Sequence, residues 1–381
     1  MAAYKSEALY QTYDVGTSAG PDGSGRRRRL RPRSHYLLGR MPFWARLAAP
    51  MAPALNAAMK VPPLAAIAKW TAGMDPRRSV PQFANRTLRR TVARMDRRRT
   101  TGQVRSTAPE RTTALEDRTA PDAATSGASA HPDVWVWADS FTDHFFPQSG
   151  IAAIEFLRAQ GLEVRVVQRK GCCGLPWITT GQLDQARRLL DEAVDTLAEP
   201  IESGVPVIGL EPSCVATLRS DLPELSQRPE AQSVADGVLT FAQLVHRLVD
   251  EGRIELPDLS GVRVLAQPHC HQRSIIGWQV DQALLEQAGA EVTAVAGCCG
   301  LAGNFGVEKG HYEVSVAVAE TYLLPAVREV HQEPASDADA GAGEGRSRTV
   351  ILADGMSCRI QLDDLADVQA IHLAELLASR A

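Results

Sequence analysis

VRVLAQPHCHQ (262–272), DQALLEQAGA (281–290), EVTAVAG (291–297) and GCCGLAGNFG (297–306) decide the fold of this 381-residue chain. VRVLA is a short, unbroken apolar run, which suits a strand buried on both faces. DQALLEQAGA has helical spacing and stops at Gly289. EVTAVAG returns to strand chemistry, and a helical stretch, HYEVSVAVAETYLLPAVREV (311–330), leads to a last strand in TVILADGMSC (349–358). Short strands alternating with amphipathic helices favour parallel, right-handed β-α-β units.

The same order occurs once before. VWVWAD (134–139) reads as a strand, PQSGIAAIEFLRAQG (147–161) as a helix and LEVRVVQ (162–168) as a strand. GCCGLP (171–176) follows, then a helix over 180–201 and a strand in VPVIGLEPSC (205–214). The expected architecture is α/β: two pseudo-symmetric β-α-β cysteine-rich subdomains, at 131–255 and 262–381. A polar insertion at about 333–348, EPASDADAGAGEGRSR, reads as disordered.

All seven cysteines lie after residue 170 and sit at, or just after, the C-terminal ends of expected strands. That edge of an open parallel sheet is where ligands bind. One subdomain gathers Cys172, Cys173 and Cys214; the other gathers Cys270, Cys298, Cys299 and Cys358. Adjacent cysteines are poor disulfide partners, and clustered thiols in a reducing compartment point to metal or redox chemistry. Four thiolates suit an iron–sulfur cluster or a structural zinc. The three of the first subdomain leave a place for a non-cysteine ligand or for the other subdomain. His269 and His271 flank Cys270 and are expected to support the ligands or join them. Glu211 is expected to help coordinate, to accept a proton, or to cap the turn after it. Gly171, Gly174, Gly297 and Gly300 flank the pairs, where sharp turns and room for a bulky ligand are needed.

The net charge of -4 hides an asymmetry. Residues 1–130 hold 23 Lys+Arg against 9 Asp+Glu, leaving 18 against 36 for the remainder. Residues 1–105 read as a basic, mainly helical connector and 106–130 as a flexible linker rich in Ser, Thr, Ala and Pro. The most apolar connector stretch, 43–70, is broken by Pro50, Pro53, Lys60, Pro62 and Pro63, so no transmembrane segment is expected. It reads either as helices packed on the rest of the protein or as a basic-flanked face lying on a membrane or partner. Basic runs such as RRRRLRPR (26–33) carry no recognition motif, and nucleic-acid binding is not expected. MAAYKSEALYQTYD (1–14) has no apolar core of a secretory signal, which makes a cytoplasmic location, at or near the inner face of the membrane, the expectation.

ADSFTDHFFP (138–147), GCCGLP, GLEPSC (209–214), PHCHQ (268–272), GCCGLAGNFG and ADGMSCR (353–359) together resemble the cysteine-rich CCG domain family. That family includes the B-type polypeptide of heterodisulfide reductase, the glycolate oxidase iron–sulfur subunit and the third subunit of anaerobic glycerol-3-phosphate dehydrogenase. The nearest resemblance is to the C-terminal region of fused FAD-linked D-2-hydroxy-acid dehydrogenases of the D-lactate type. YKSEALYQTY (4–13), the run at 29–48 and GMDPRRSVPQFA (73–84) resemble the connector before that region. In the family motif a leading Cys precedes CCG, and a C-x-x-C follows. Here Asp139–Ser140 stand where the first leading Cys would be, and Glu211 and Gly355 replace the first Cys of each C-x-x-C.

The resemblance implies a [4Fe–4S] cluster on the second subdomain. It also implies FAD on a partner oxidase and a ferredoxin-type partner, since neither a flavin motif nor a C-x-x-C-x-x-C run is present. Oxidation of a 2-hydroxy acid then needs the partner, and no residue of this chain is expected to be catalytic. Two other readings stand beside this one: thiol–disulfide chemistry of the heterodisulfide reductase kind, and a non-catalytic zinc-bound or metal-free scaffold.

Overall fold

The computed structural model describes residues 2–15, 29–106, 131–169, 171–332 and 348–381. The expected linker and polar insertion, but for Ser106 and Arg348, fall outside the described residues. β1 (Val134–Trp137), β2 (Val164–Val166), β3 (Val207–Gly209) and β4 (Val238–Thr240) form one sheet in the order β2–β1–β3–β4. β5 (Val262–Ala266), β6 (Glu291–Ala294) and β7 (Arg348–Leu352) form a second, in the order β6–β5–β7. Every pairing is parallel, with Val136 beside Val166 and Ile208, and Val264 beside Val292 and Val350. A single parallel bridge from Leu352 to Ile371 flanks β7, as β4 flanks β3. The α/β class expected from the sequence is the observed one.

One buried cluster joins the two sheets. Val136 and Val164 of the first and Val264 and Leu352 of the second share it with residues of the helices Pro147–Ala159, Phe241–Asp250, Gln279–Gln287 and Leu373–Ala378. Phe156 meets Phe241 edge-on at 5.9 Å within it, the favoured aromatic geometry. The helix Leu183–Glu202 packs Leu190, Val194 and Leu197 on the other side of the first sheet. Leu323, Val327 and Leu362 do the same for the second. Both sheets are therefore covered on both faces except along the edge strand β6, which is largely exposed, and this is why the other strands read as apolar runs rather than alternating ones.

The connector prolines begin helices. Pro42, Pro53 and Pro62 occupy the first turns of Met41–Ala48, Ala52–Met59 and Pro62–Ala72, where the missing N–H would have no intrahelical partner. Three arginines fasten the connector to the sheets. Arg31 donates to the carbonyls of Thr180 and Gly181 at 2.6 and 2.8 Å. Arg89 reaches Asp143 at 2.7 Å and the Ala138 carbonyl at 2.8 Å. Arg78 is fully buried against the second subdomain. On the outer side of the same connector Phe43, Leu47, Met51, Ile67 and Trp70 are all more than half exposed.

Candidate metal centre

The parallel strands end on one edge of each sheet, and the thiols follow from there. After β2 come Cys172 and Cys173, and after β3 Cys214 sits in the first turn of the helix Pro212–Leu225. After β5 comes Cys270, after β6 Cys298 and Cys299, and after β7 Cys358 in the first turn of Met356–Ala366. In the second subdomain Cys270 lies against Cys298, Cys298 against Cys299, and Cys299 against Cys358. In the first, Cys172 lies against Cys173, Cys173 donates to Cys214 at 3.1 Å, and Cys214 donates to Asp139 Oδ1 at 3.6 Å. The structure thus brings together each set of thiols singled out in the sequence, in two separate groups. Within either group, no three His, Cys, Asp or Glu side chains among the described residues converge on a single-ion site.

Each Cys-Cys-Gly turn places backbone amides on its own sulfurs. Cys172 accepts from the Gly174 amide and Cys173 from the Leu175 amide. Cys298 accepts from the Gly300 amide at 3.4 Å and Cys299 from the Leu301 amide. The turn works because Gly174 and Gly300 adopt φ of +75° and +88°, which a side chain resists. The outer glycines serve differently from the expected open space. A Cβ on Gly297 would lie 2.4 Å from the Tyr322 ring, and one on Gly171 would lie 3.2 Å from Trp137 Nε1. Aromatic rings fill the room they leave.

Burial and crowding set the protonation of these thiols. The neighbouring Cys173 thiol, together with burial, pushes Cys172 up. Cys173 receives a lowering hydrogen bond from Cys172, yet Cys214 and burial raise it overall. Burial raises Cys214. Cys298 goes the other way: the Cys270 and Cys299 thiols and the Gly300 amide hold it low, while Cys270 and Cys299 rise. Such crowded sulfurs become thiolates together only where a cation neutralises them. Exposure is graded in the second group, with Cys270 exposed, Cys298 half-buried, and Cys299 and Cys358 buried.

His269 is buried and held neutral, its ring pushed down to about 3 by burial and by His271. Its Nδ1 accepts from the His271 amide at 3.2 Å, so Nε2 carries the proton toward Ser357 Oγ at 3.1 Å. Both ring nitrogens are thereby engaged with protein partners beside the thiols. His271, lowered by burial, reaches the Ser213 carbonyl with one ring nitrogen and buries Nδ1 without a partner. Glu211 accepts from Ser213 Oγ at 2.6 Å and from the Met356 amide at 2.9 Å. It therefore caps two helix N-termini, those carrying Cys214 and Cys358, and ties the two thiol groups to one carboxylate. Burial and Asp139 raise it to about 7.

Sequence reasoning passed over Trp137 and Ser357, which carry no local signal of their own, and marked Ser140 only as standing, with Asp139, where a leading cysteine would be. Ser140 is buried and faces Cys172. Trp137 is fully buried beside Gly171. Gly300→Ala tests the turn: a Cβ there would lie 2.2 Å from the Ser315 carbonyl at a φ of +88°. It should cost more than about 2 kcal/mol by denaturant unfolding. Gly303→Ala, at a φ of +65° with nothing within 4 Å, should cost less; equal losses would contradict the close-packed turn.

Residues 140–219 match the family model of the cysteine-rich CCG domain, a span containing Cys172, Cys173 and Cys214. Over 349 residues the chain is 25% identical to the third subunit of anaerobic glycerol-3-phosphate dehydrogenase from Escherichia coli K12, covering 90% of this chain and 76% of that one. It is 25% identical over 261 residues to lactate utilization protein A of Bacillus cereus G9842, covering 65% of this chain and 99% of the relative. The second subunit of the CoM/CoB fumarate reductase from Methanothermobacter marburgensis is 27% identical over 183 residues, 47% of this chain and 34% of its own.

Proposed function

We propose that this chain, whose residues 140–219 match the cysteine-rich CCG domain, is the iron–sulfur electron-transfer component of a FAD-linked dehydrogenase acting on a 2-hydroxy acid such as D-lactate or glycolate. The observation that carries this reading is the run of four contacting thiols, Cys270, Cys298, Cys299 and Cys358, at the ends of parallel strands. Their number and softness fit a [4Fe–4S] cluster. When bound, that cluster supplies storage of one electron at a time, between a two-electron flavin and a downstream acceptor.

The residues of this chain set the conditions for transfer. The Gly300 and Leu301 amides direct N–H dipoles at Cys298 and Cys299, favouring the more negative, reduced state. Buried Cys299 and Cys358 keep water from one side, while exposed Cys270 opens the other toward a partner. The FAD oxidase and a ferredoxin-type protein are the proposed partners, supported by relatives named as subunits of a dehydrogenase and a reductase. The equal strand order of the two sheets supports a pseudo-symmetric pair of subdomains. The reading is tested by visible spectroscopy of the anaerobic full chain. Dithionite should bleach it and D-lactate, with no flavoprotein added, should not; bleaching by D-lactate alone would contradict a partner-borne flavin.

No helix among the described residues is long and apolar enough to cross a membrane. Peripheral association, at a cytoplasmic membrane face, is the proposed role of the connector's exposed apolar side chains. Arg40, Arg46, Lys60 and Lys69 are interleaved with them in the sequence, the composition that binds anionic interfaces. Sedimentation with phosphatidylglycerol vesicles should carry the chain down, and Ile67→Glu with Trp70→Ser should leave it in solution. A wild-type chain that stays in solution contradicts the role.

A further inference from the structure

The first subdomain repeats the second's order of touching groups with one substitution, and adds a contact from Cys214 to Asp139 at 3.6 Å. In the second, the order of touching groups is Cys270, Cys298, Cys299, Cys358. In the first it is Ser140, Cys172, Cys173, Cys214. Ser140 follows β1 as Cys270 follows β5, and both open a helical turn. The i+2 amide donors to the Cys-Cys pair are the same in both. Two buried polar atoms in this group have no partner. Ser140 Oγ faces Cys172 but makes no hydrogen bond of normal geometry, and Trp137 Nε1 points at the Gly171 turn. Leaving such groups unpaired costs about 1–3 kcal/mol each, and their position beside three thiols indicates what they await.

We infer that Ser140 is the fourth ligand of a second iron–sulfur cluster, held by Cys172, Cys173 and Cys214 in the first subdomain. This rests on the electron-transfer reading above and extends it to two clusters in one chain. On cluster assembly Ser140 Oγ would release its proton to solvent, as the cysteine thiols do, and bond the iron that a cysteine would otherwise take. An alkoxide is a harder ligand than a thiolate, so the two clusters differ in potential and spectrum. Trp137 Nε1 donates to a sulfur of the same cluster.

The test uses the anaerobically reconstituted full chain, with iron and sulfide analysis and EPR. The wild type should hold about eight iron and eight sulfide, and Cys298→Ser with Cys299→Ser should leave about four of each. In that double variant, Ser140→Ala should lower iron to about three and give the signal of a three-iron cluster, while Ser140→Cys restores about four with a shifted EPR spectrum. A wild type with about four iron, all lost in the double variant, overturns this inference and leaves the electron-transfer reading intact. An iron-free wild type overturns both. Unchanged iron and EPR in Ser140→Ala, or an intact mass showing a Cys173–Cys214 disulfide in the anaerobic protein, overturns the serine ligand alone.

Discussion

Arg78→Ala should destabilise the protein by about 3–5 kcal/mol, seen as a fall in Tm of roughly 5–10 °C. The Arg78 side chain is fully buried and donates to the Gly306 carbonyl at 2.8 Å, Gln361 Oε1 at 2.7 Å and Ser315 Oγ at 2.6 Å. Asp364, 95% buried at its side chain, stands 3.5 Å away as its counter-charge. Truncation takes the counter-charge from that carboxylate, leaving it only the Ser79 amide at 3.3 Å, and removes the Arg78 donor from the Gly306 carbonyl and Gln361 Oε1, while Ser315 Oγ keeps Gln361 Nε2 at 3.2 Å. The damage extends beyond the ion pair because neighbouring backbone is tied in: Asp75 N donates to the Val307 carbonyl and Lys309 N to the Gly73 carbonyl. Limited proteolysis should therefore cut the connector of the variant near residues 73–84 before the sheets. Adding Asp364→Leu should recover part of the loss, since the unpaired charge is then gone. A Tm unchanged to within a degree would contradict the clamp.

Replacing Cys298 and Cys299 together by serine should remove the iron of the second subdomain while leaving the sheets folded. Cys298 lies at the centre of the contact chain, against both Cys270 and Cys299, so its loss breaks the ligand set in two. Cys299 is buried beside Leu301 and Leu323 in the outer core, where serine adds an unsatisfied hydroxyl at about 1–3 kcal/mol. The variant should keep its far-ultraviolet circular dichroism and lose about four iron. Iron content equal to the wild type would place the cluster elsewhere.

The repeated Cys-Cys-Gly and the apolar strand runs made the α/β class and both thiol groups legible, because burial on two faces and paired thiols in glycine-flanked turns each leave a local composition. Other features left no local trace. β4, Val238–Thr240, is three residues long and runs directly into the helix Phe241–Asp250, too short to show a strand period of its own. β6 is largely exposed along its length, yet Val292 and Thr293 still marked it as a strand. Glu211 announces a cap through the following Pro-Ser, but its second helix begins 145 residues away. Arg78 is one arginine in a basic segment, and only the folded contacts separate it from its solvent-exposed neighbours. Ser140 was visible as the loss of a cysteine; its burial against Cys172 is what gives that loss a chemical meaning.

The most direct test of the central claim is the iron and acid-labile sulfide content of the anaerobically purified full chain, read with its EPR spectrum after reduction. At least about four iron and four sulfide per chain, with the signal of a reduced [4Fe–4S] cluster, is the predicted result. Stoichiometric zinc, or a metal-free chain that stays colourless after reconstitution, would contradict it.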